Sequence, residues 1–83
     1  MKIYWHNGSK NIIGKRVREA RLKSNPQISQ QDLSARLDVL GYHIDRVSIT
    51  KIEAGDRFVA DYEVVALAKA LNVPVEWLLC IEE

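Results

Sequence analysis

The sequence predicts an all-α fold, a compact bundle of five helices. Apolar residues recur at spacings of three and four in successive segments, the pattern of one buried helix face. Capping residues, glycines and prolines separate those segments. No stretch shows convincing strand alternation and no internal repeat is present. The 83 residues suffice for one small domain with one core. That domain is expected over residues 10–83, with residues 1–9 as an N-terminal flank.

Residues 1–9 lack helical period. Ile3, Tyr4 and Trp5 form an apolar cluster before the turn signal Asn7-Gly8. It could cover the core, form a short strand or meet a second subunit. A first helix is expected from about Lys10 to Lys23, capped by Ser9, with Ile13, Val17 and Ala20 on its buried stripe. Ser24-Asn25-Pro26 ends it, since proline disfavours helix in the preceding residue. The second helix follows Ser29, where Ser29 and Asp32 make a capping arrangement. Leu33 and Leu37 face inward, and Val39 and Leu40 extend the helix to a stop at Gly41.

Gly41-Tyr42-His43-Ile44 leads to the third helix, over Arg46 to Ala54. Asp45 is its N-cap and Gly55 fits the left-handed position past its end. A fourth helix begins after Asp61, its expected cap, and carries Val64, Val65, Leu67, Ala68 and Leu71 to Asn72. Pro74 fits the first turn of a last helix, with Val75, Leu78 and Leu79 on its apolar side.

Apolar residues make up 47% of the chain, which argues against general disorder. No apolar run approaches the roughly 20 residues of a membrane span, and no export signal is evident. A cytoplasmic protein is expected. The single cysteine, Cys80, cannot pair within the chain; after Leu78-Leu79 it is expected to be a packed thiol rather than a nucleophile. His6 and His43 make no metal spacing, and no cofactor or small-molecule ligand is indicated.

The net charge of +1 hides a bipolar distribution. Lys10, Lys15, Arg16, Arg18, Arg21 and Lys23 face one acid, Glu19, within the first helix. Asp61, Glu63, Glu76, Glu82 and Glu83 dominate the C-terminal part, with Lys69 the one base there. A basic end can meet phosphates while the molecule stays near neutral. The alternative is a solvated helix face and an acidic tail.

The third helix is the most informative segment. Ile49 and Ile52 lie three apart on one face, and Arg46, Val47, Thr50 and Lys51 look away from it. A short helix held from behind, with hydrogen-bond donors in front, suits the DNA major groove.

Several segments in order share a family resemblance. Ile13-Gly14-Lys15-Arg16-Val17-Arg18-Glu19-Ala20-Arg21, Ile28-Ser29-Gln30-Gln31-Asp32-Leu33-Ser34 and Ile49-Thr50-Lys51-Ile52-Glu53-Ala54-Gly55-Asp56-Arg57 carry it. Ala66-Leu67-Ala68-Lys69-Ala70-Leu71-Asn72-Val73 and Trp77-Leu78-Leu79 complete the set. The ordered set resembles the Cro/C1-type (XRE) helix-turn-helix family of DNA-binding regulators. The resemblance implies a lambda-repressor-like fold with the third helix as recognition helix. It implies base contacts for Arg46, Val47 and Lys51, with Thr50 beside them. It also implies DNA-backbone contacts for Gln30, Ser48 and Arg57, and a structural ion pair between Arg21 and Glu53. Lys15 and Arg18 are further phosphate candidates on electrostatic grounds.

The chain departs from the family between the second and third helices. The usual turn is about four residues, and the segment through Asp38 to His43 adds about five more. One more turn of the second helix and a longer loop would absorb them. Ser34 replaces the commoner alanine, and its hydroxyl is expected to bond back to a helical carbonyl.

Bland roles remain open for each candidate. Arg46 could read guanine O6 and N7 or meet a phosphate, and Lys51 could do either. Val47 could press on a thymine methyl or close the core. Ser48 and Thr50 could serve caps or water. Trp77 suits the core or a subunit contact. The leading expectation is a sequence-specific double-stranded DNA-binding regulator, a repressor, acting as a homodimer on DNA. The alternative is a protein-interaction module on the same fold, antitoxin-like or a phage regulatory partner. No catalytic constellation points to an enzyme.

Overall fold

A computed structural model describes residues 8–81. Five helices follow one another: α1 Gly14–Lys23, α2 Gln30–Val39, α3 Arg46–Ala54, α4 Asp61–Leu71 and α5 Val75–Leu78. Every regular element among the described residues is helical. The apolar cluster Ile3-Tyr4-Trp5, His6, Glu82 and Glu83 lie outside the described residues. One core forms where α3 packs on α1 and α2, and α4 packs on α1, α2 and α5. Ile13, Leu33, Leu37, Ile49, Ile52, Leu67, Leu78 and Val17 are its most deeply buried large side chains.

The helix starts divide by their chemistry. Ser29 and Asp32 close a reciprocal box: Asp32 N–H donates to Ser29 Oγ at 2.9 Å and Ser29 N–H to Asp32 Oδ2 at 3.1 Å. Asp45 Oδ1 accepts from Ser48 N–H at 2.8 Å and caps α3 as expected.

Three boundaries are corrected. α1 starts at Gly14, and Asn11 rather than Ser9 serves its free amides, accepting at Oδ1 from Ile13 N–H at 3.1 Å and Gly14 N–H at 2.8 Å. Asp61 is the first residue of α4, not its cap; Ala60 holds the cap position and its N–H donates to Glu63 Oε1 at 3.0 Å. Pro74 stands before α5 rather than in its first turn.

Four helix ends share one solution. After α2, α3, α4 and α5 the chain turns left-handed at Gly41, Gly55, Asn72 and Cys80. The next amide then reaches back five residues to a carbonyl in the last turn of the helix, as Tyr42 N–H does to Leu37 at 2.9 Å and Asp56 N–H to Lys51 at 2.8 Å. Cys80 therefore does not pack as expected. The reversal leaves its side chain exposed, with Sγ 3.5 Å from the Ile12 carbonyl.

The approach of α1 to α3 requires a residue without a side chain. A Cβ on Gly14 would collide with the Ile52 carbonyl oxygen and lie 3.1 Å from that of Glu53. These are backbone atoms and cannot swing aside. Gly14→Ala is expected to lower stability in urea unfolding by a net 1–2 kcal/mol or so. The overpacking cost of about 1–3 kcal/mol exceeds the helix-propensity gain of at most about 1.

Candidate nucleic-acid interface

α3 is anchored by its rear and open in front. Ile49 and Ile52 are 0% exposed, whereas Arg46, Val47, Thr50 and Lys51 all face solvent. Val47 is 57% exposed, so it does not close the core. Neither Arg46 nor Lys51 has a hydrogen-bond or ion-pair partner among the described residues. The four side chains, at positions i, i+1, i+4 and i+5, share one side of the helix.

A buried ion pair sets how α3 meets α1. Arg21 Nε donates to Glu53 Oε2 at 2.6 Å and Nη2 to Oε1 at 2.8 Å, with side chains only 9% and 7% exposed. Nη1 of Arg21 also donates to the Ile28 carbonyl at 3.1 Å. Its bond to Glu53 raises the Arg21 pKa above its already high ordinary value, so the charge persists at all working pH. The two-pronged geometry and the extra carbonyl satisfy both charges, which burial would otherwise penalise. Gln30, first in α2, joins the same pair by donating from Nε2 to Glu53 Oε1 at 3.1 Å. Thus α1, α2 and α3 meet at one carboxylate.

A family model for helix-turn-helix domains matches residues 17–78, most of the chain. The chain belongs to the Cro/C1-type helix-turn-helix family. It is a DNA-binding helix-turn-helix protein of transcription regulation, and its all-helical bundle is the lambda-repressor-like fold. No curated protein and no solved structure matches it significantly.

This helix-turn-helix carries its extra residues without obstructing α3. α2 runs to Val39 and the left-handed Gly41 turns the chain back. Tyr42 stacks on Tyr62 of α4, with ring centroids 6.2 Å apart and planes at 24°. Ile44 is buried in the core, and its carbonyl accepts from Ser34 Oγ at 2.8 Å. Ser34 thus pins the connector instead of bonding within its own helix. His43 Nδ1 lies 2.6 Å from Asp38 Oδ1 on the exposed outer side. The connector is drawn toward α2 and α4 and leaves Arg46 and Lys51 uncovered.

The remaining candidates fall into two groups. Lys15 and Arg18 are exposed on α1 with no partner among the described residues. Ser48 and Arg57 are engaged. Asp45 is held below the usual carboxylate range by the Ser48 amide first and the Ser48 hydroxyl second. Arg57 binds Glu63 through Nη1 at 3.1 Å and Nη2 at 3.2 Å, tying the loop after α3 to α4. Burial pushes the Glu63 carboxyl up, but Arg57 and the Ala60 amide outweigh it and hold it low.

Several residues emerge that the sequence reading assigned no site role. Asn11 Nδ2 donates to the Ile52 carbonyl at 3.1 Å and the Arg57 carbonyl at 2.9 Å, clamping the far end of α3. Asparagine's strength as a cap was the available signal. Arg16 lies over the Trp77 ring at 4.7 Å and donates from Nη1 to the Trp77 carbonyl at 2.7 Å, so the basic helix grips α5. Among the described residues no cluster of three His, Cys, Asp or Glu could hold a metal. No described helix is long and apolar enough to cross a membrane.

Removing one member of the buried pair strands the other. Glu53→Ala is expected to cost about 3–5 kcal/mol in chemical denaturation. An Arg21→Met/Glu53→Leu double variant should lose far less than the two single losses added together. Acid should weaken the two helix starts for a separate reason. Asp32, bonded to Ser29, and Asp45, bonded to Ser48, both have lowered pKa values. Their stabilisation is complete above the unfolded value of about 4 and is lost as pH falls through the lower folded values. An Asp32→Asn/Asp45→Asn variant should melt earlier than the parent at pH 6 and show a shallower decline in Tm from pH 5 to pH 2.

Proposed function

We propose that this protein is a sequence-specific double-stranded DNA-binding repressor, acting in the cytoplasm as a homodimer on its sites. α3 enters the major groove and α2 lies across the sugar-phosphate backbone. The observation that carries this reading is the exposed front of α3, where Arg46 and Lys51 project with no hydrogen-bond or ion-pair partner among the described residues while Ile49 and Ile52 fill the core behind. An unpartnered arginine at a helix start is suited to guanine O6 and N7, a contact worth about 1–3 kcal/mol of discrimination. Val47 stands beside it, placed for a thymine methyl.

Phosphate contacts supply register and affinity. Lys15 and Arg18, exposed on α1 with no partner among the described residues, would give them. Gln30 keeps one of its two amide hydrogens beyond the one donated to Glu53, enough for a backbone oxygen. Arg57 and Ser48 contribute chiefly by holding α3 in place, Arg57 through Glu63 and Ser48 through Asp45. A single small module covers few base pairs, so useful specificity favours two copies on a two-fold site. Occupancy of a promoter by such a dimer suffices to block transcription.

Selection of bound sequences from random duplex DNA tests the reading, and an inverted repeat is expected. Arg46→Ala should lose preference at one or two base pairs of each half-site while keeping the rest. Lys15→Ala and Arg18→Ala should each weaken binding to all sequences and reduce the salt slope by about 1. An unchanged site preference in Arg46→Ala, or affinity indifferent to salt, would overturn the assignment.

A further inference from the structure

The front of α3 carries a hydroxyl whose hydrogen-bonding direction is decided inside the protein. Arg21 donates from Nε and Nη2 to the two oxygens of the Glu53 carboxylate, and those oxygens accept. Gln30 lies 3.1 Å from the Oε1 of that carboxylate. Its amide must therefore turn the NH2 group inward, since the flipped amide would set one oxygen against another. With the NH2 inward, Gln30 Oε1 faces Thr50 Oγ1 at 3.0 Å. The other polar neighbour of Oγ1 is the Arg46 carbonyl oxygen, also at 3.0 Å. Both neighbours accept, and a hydroxyl has one hydrogen. That hydrogen is spent on the protein whichever of the two receives it, and only lone pairs remain for a partner outside.

We propose that Thr50 is a specificity-determining residue that accepts a hydrogen bond from an exocyclic amino group in the major groove, cytosine N4 or adenine N6. Glu53 and Gln30 are the positioning residues that set this direction. The inference rests on the reading of α3 as the base-reading helix. On the strand Thr50 touches, guanine and thymine present acceptors at the groove edge and are disfavoured. Arg46 donates only and favours guanine. The two side chains, one turn apart, therefore make opposite demands on the bases they meet.

The experiment compares wild type with Thr50→Val, which keeps the shape and removes the hydroxyl. Thr50 is exposed, so the core is untouched by the change. Site selection from random duplex DNA is run for both proteins. Preference is expected to relax at one base pair per half-site in the variant and to persist elsewhere. At that pair the amino group is then deleted, using purine for adenine or 2-pyrimidinone for cytosine. Wild type should lose about five- to tenfold in affinity, the yield of one ordinary hydrogen bond, and Thr50→Val should lose none. A wild type that recovers no preferred site overturns the base-reading role of α3, and this assignment with it. A recovered site that Thr50→Val leaves unchanged, or an amino deletion that wild type tolerates, overturns the assignment to Thr50 alone.

Discussion

Three helices of this protein converge on one carboxylate, that of Glu53. Arg21 reaches it from α1, Gln30 from α2, and it belongs to α3 itself. A buried ion pair is not a generous source of stability, because desolvation offsets most of its attraction. What it supplies is geometry. A forked guanidinium accepts a carboxylate in few arrangements, so the rotation of α3 about its axis is constrained. The isoleucines behind α3 could tolerate some slip, since apolar contact is non-directional. The ion pair cannot. Which residues face outward is thus a consequence of a bond on the inner side.

Around that centre the structure adds clamps to the end of α3. Asn11 holds the carbonyls of Ile52 and Arg57, and Lys10 N–H donates to the Gly55 carbonyl at 2.8 Å. Arg57 secures the following loop to α4 through Glu63. The N-terminal end is held by Asp45 and, through Ile44, by Ser34. A helix of nine residues would be marginal alone. Fastened at both ends and along its back, it can present four side chains with little backbone freedom to lose on binding.

Legibility in the sequence followed the range of the interaction. The cap at Asp45, the box at Ser29 and Asp32, and the reversals at Gly41 and Gly55 involve residues two to five apart, and each could be read from local pattern. The face bearing Arg46, Val47, Thr50 and Lys51 followed from helical spacing alone. The cap that Asn11 gives α1 was within local reach, though Ser9 competed for it, but its clamp on α3 was not, because Nδ2 bonds the distant carbonyls of Ile52 and Arg57. Ser34 looked like a residue bonding within its own helix until the connector came back beside it. The tie of Arg57 to Glu63 stayed hidden because that partner lies across a loop whose path the sequence does not reveal. Cys80 followed two leucines and suggested burial; the left-handed reversal at the end of α5 turned it outward.

The connector after α2 shows how such a scaffold absorbs extra chain. Lengthening a loop by a few residues adds only a fraction of a kcal/mol in closure entropy. The Tyr42–Tyr62 stack and the Ser34 bond then return the backbone to a fixed point at Ile44. From that point onward α3 is indifferent to how long the detour was. The connector can therefore differ in length while α3 keeps its orientation, and the exposed flank around Val39 and His43 answers to no core contact.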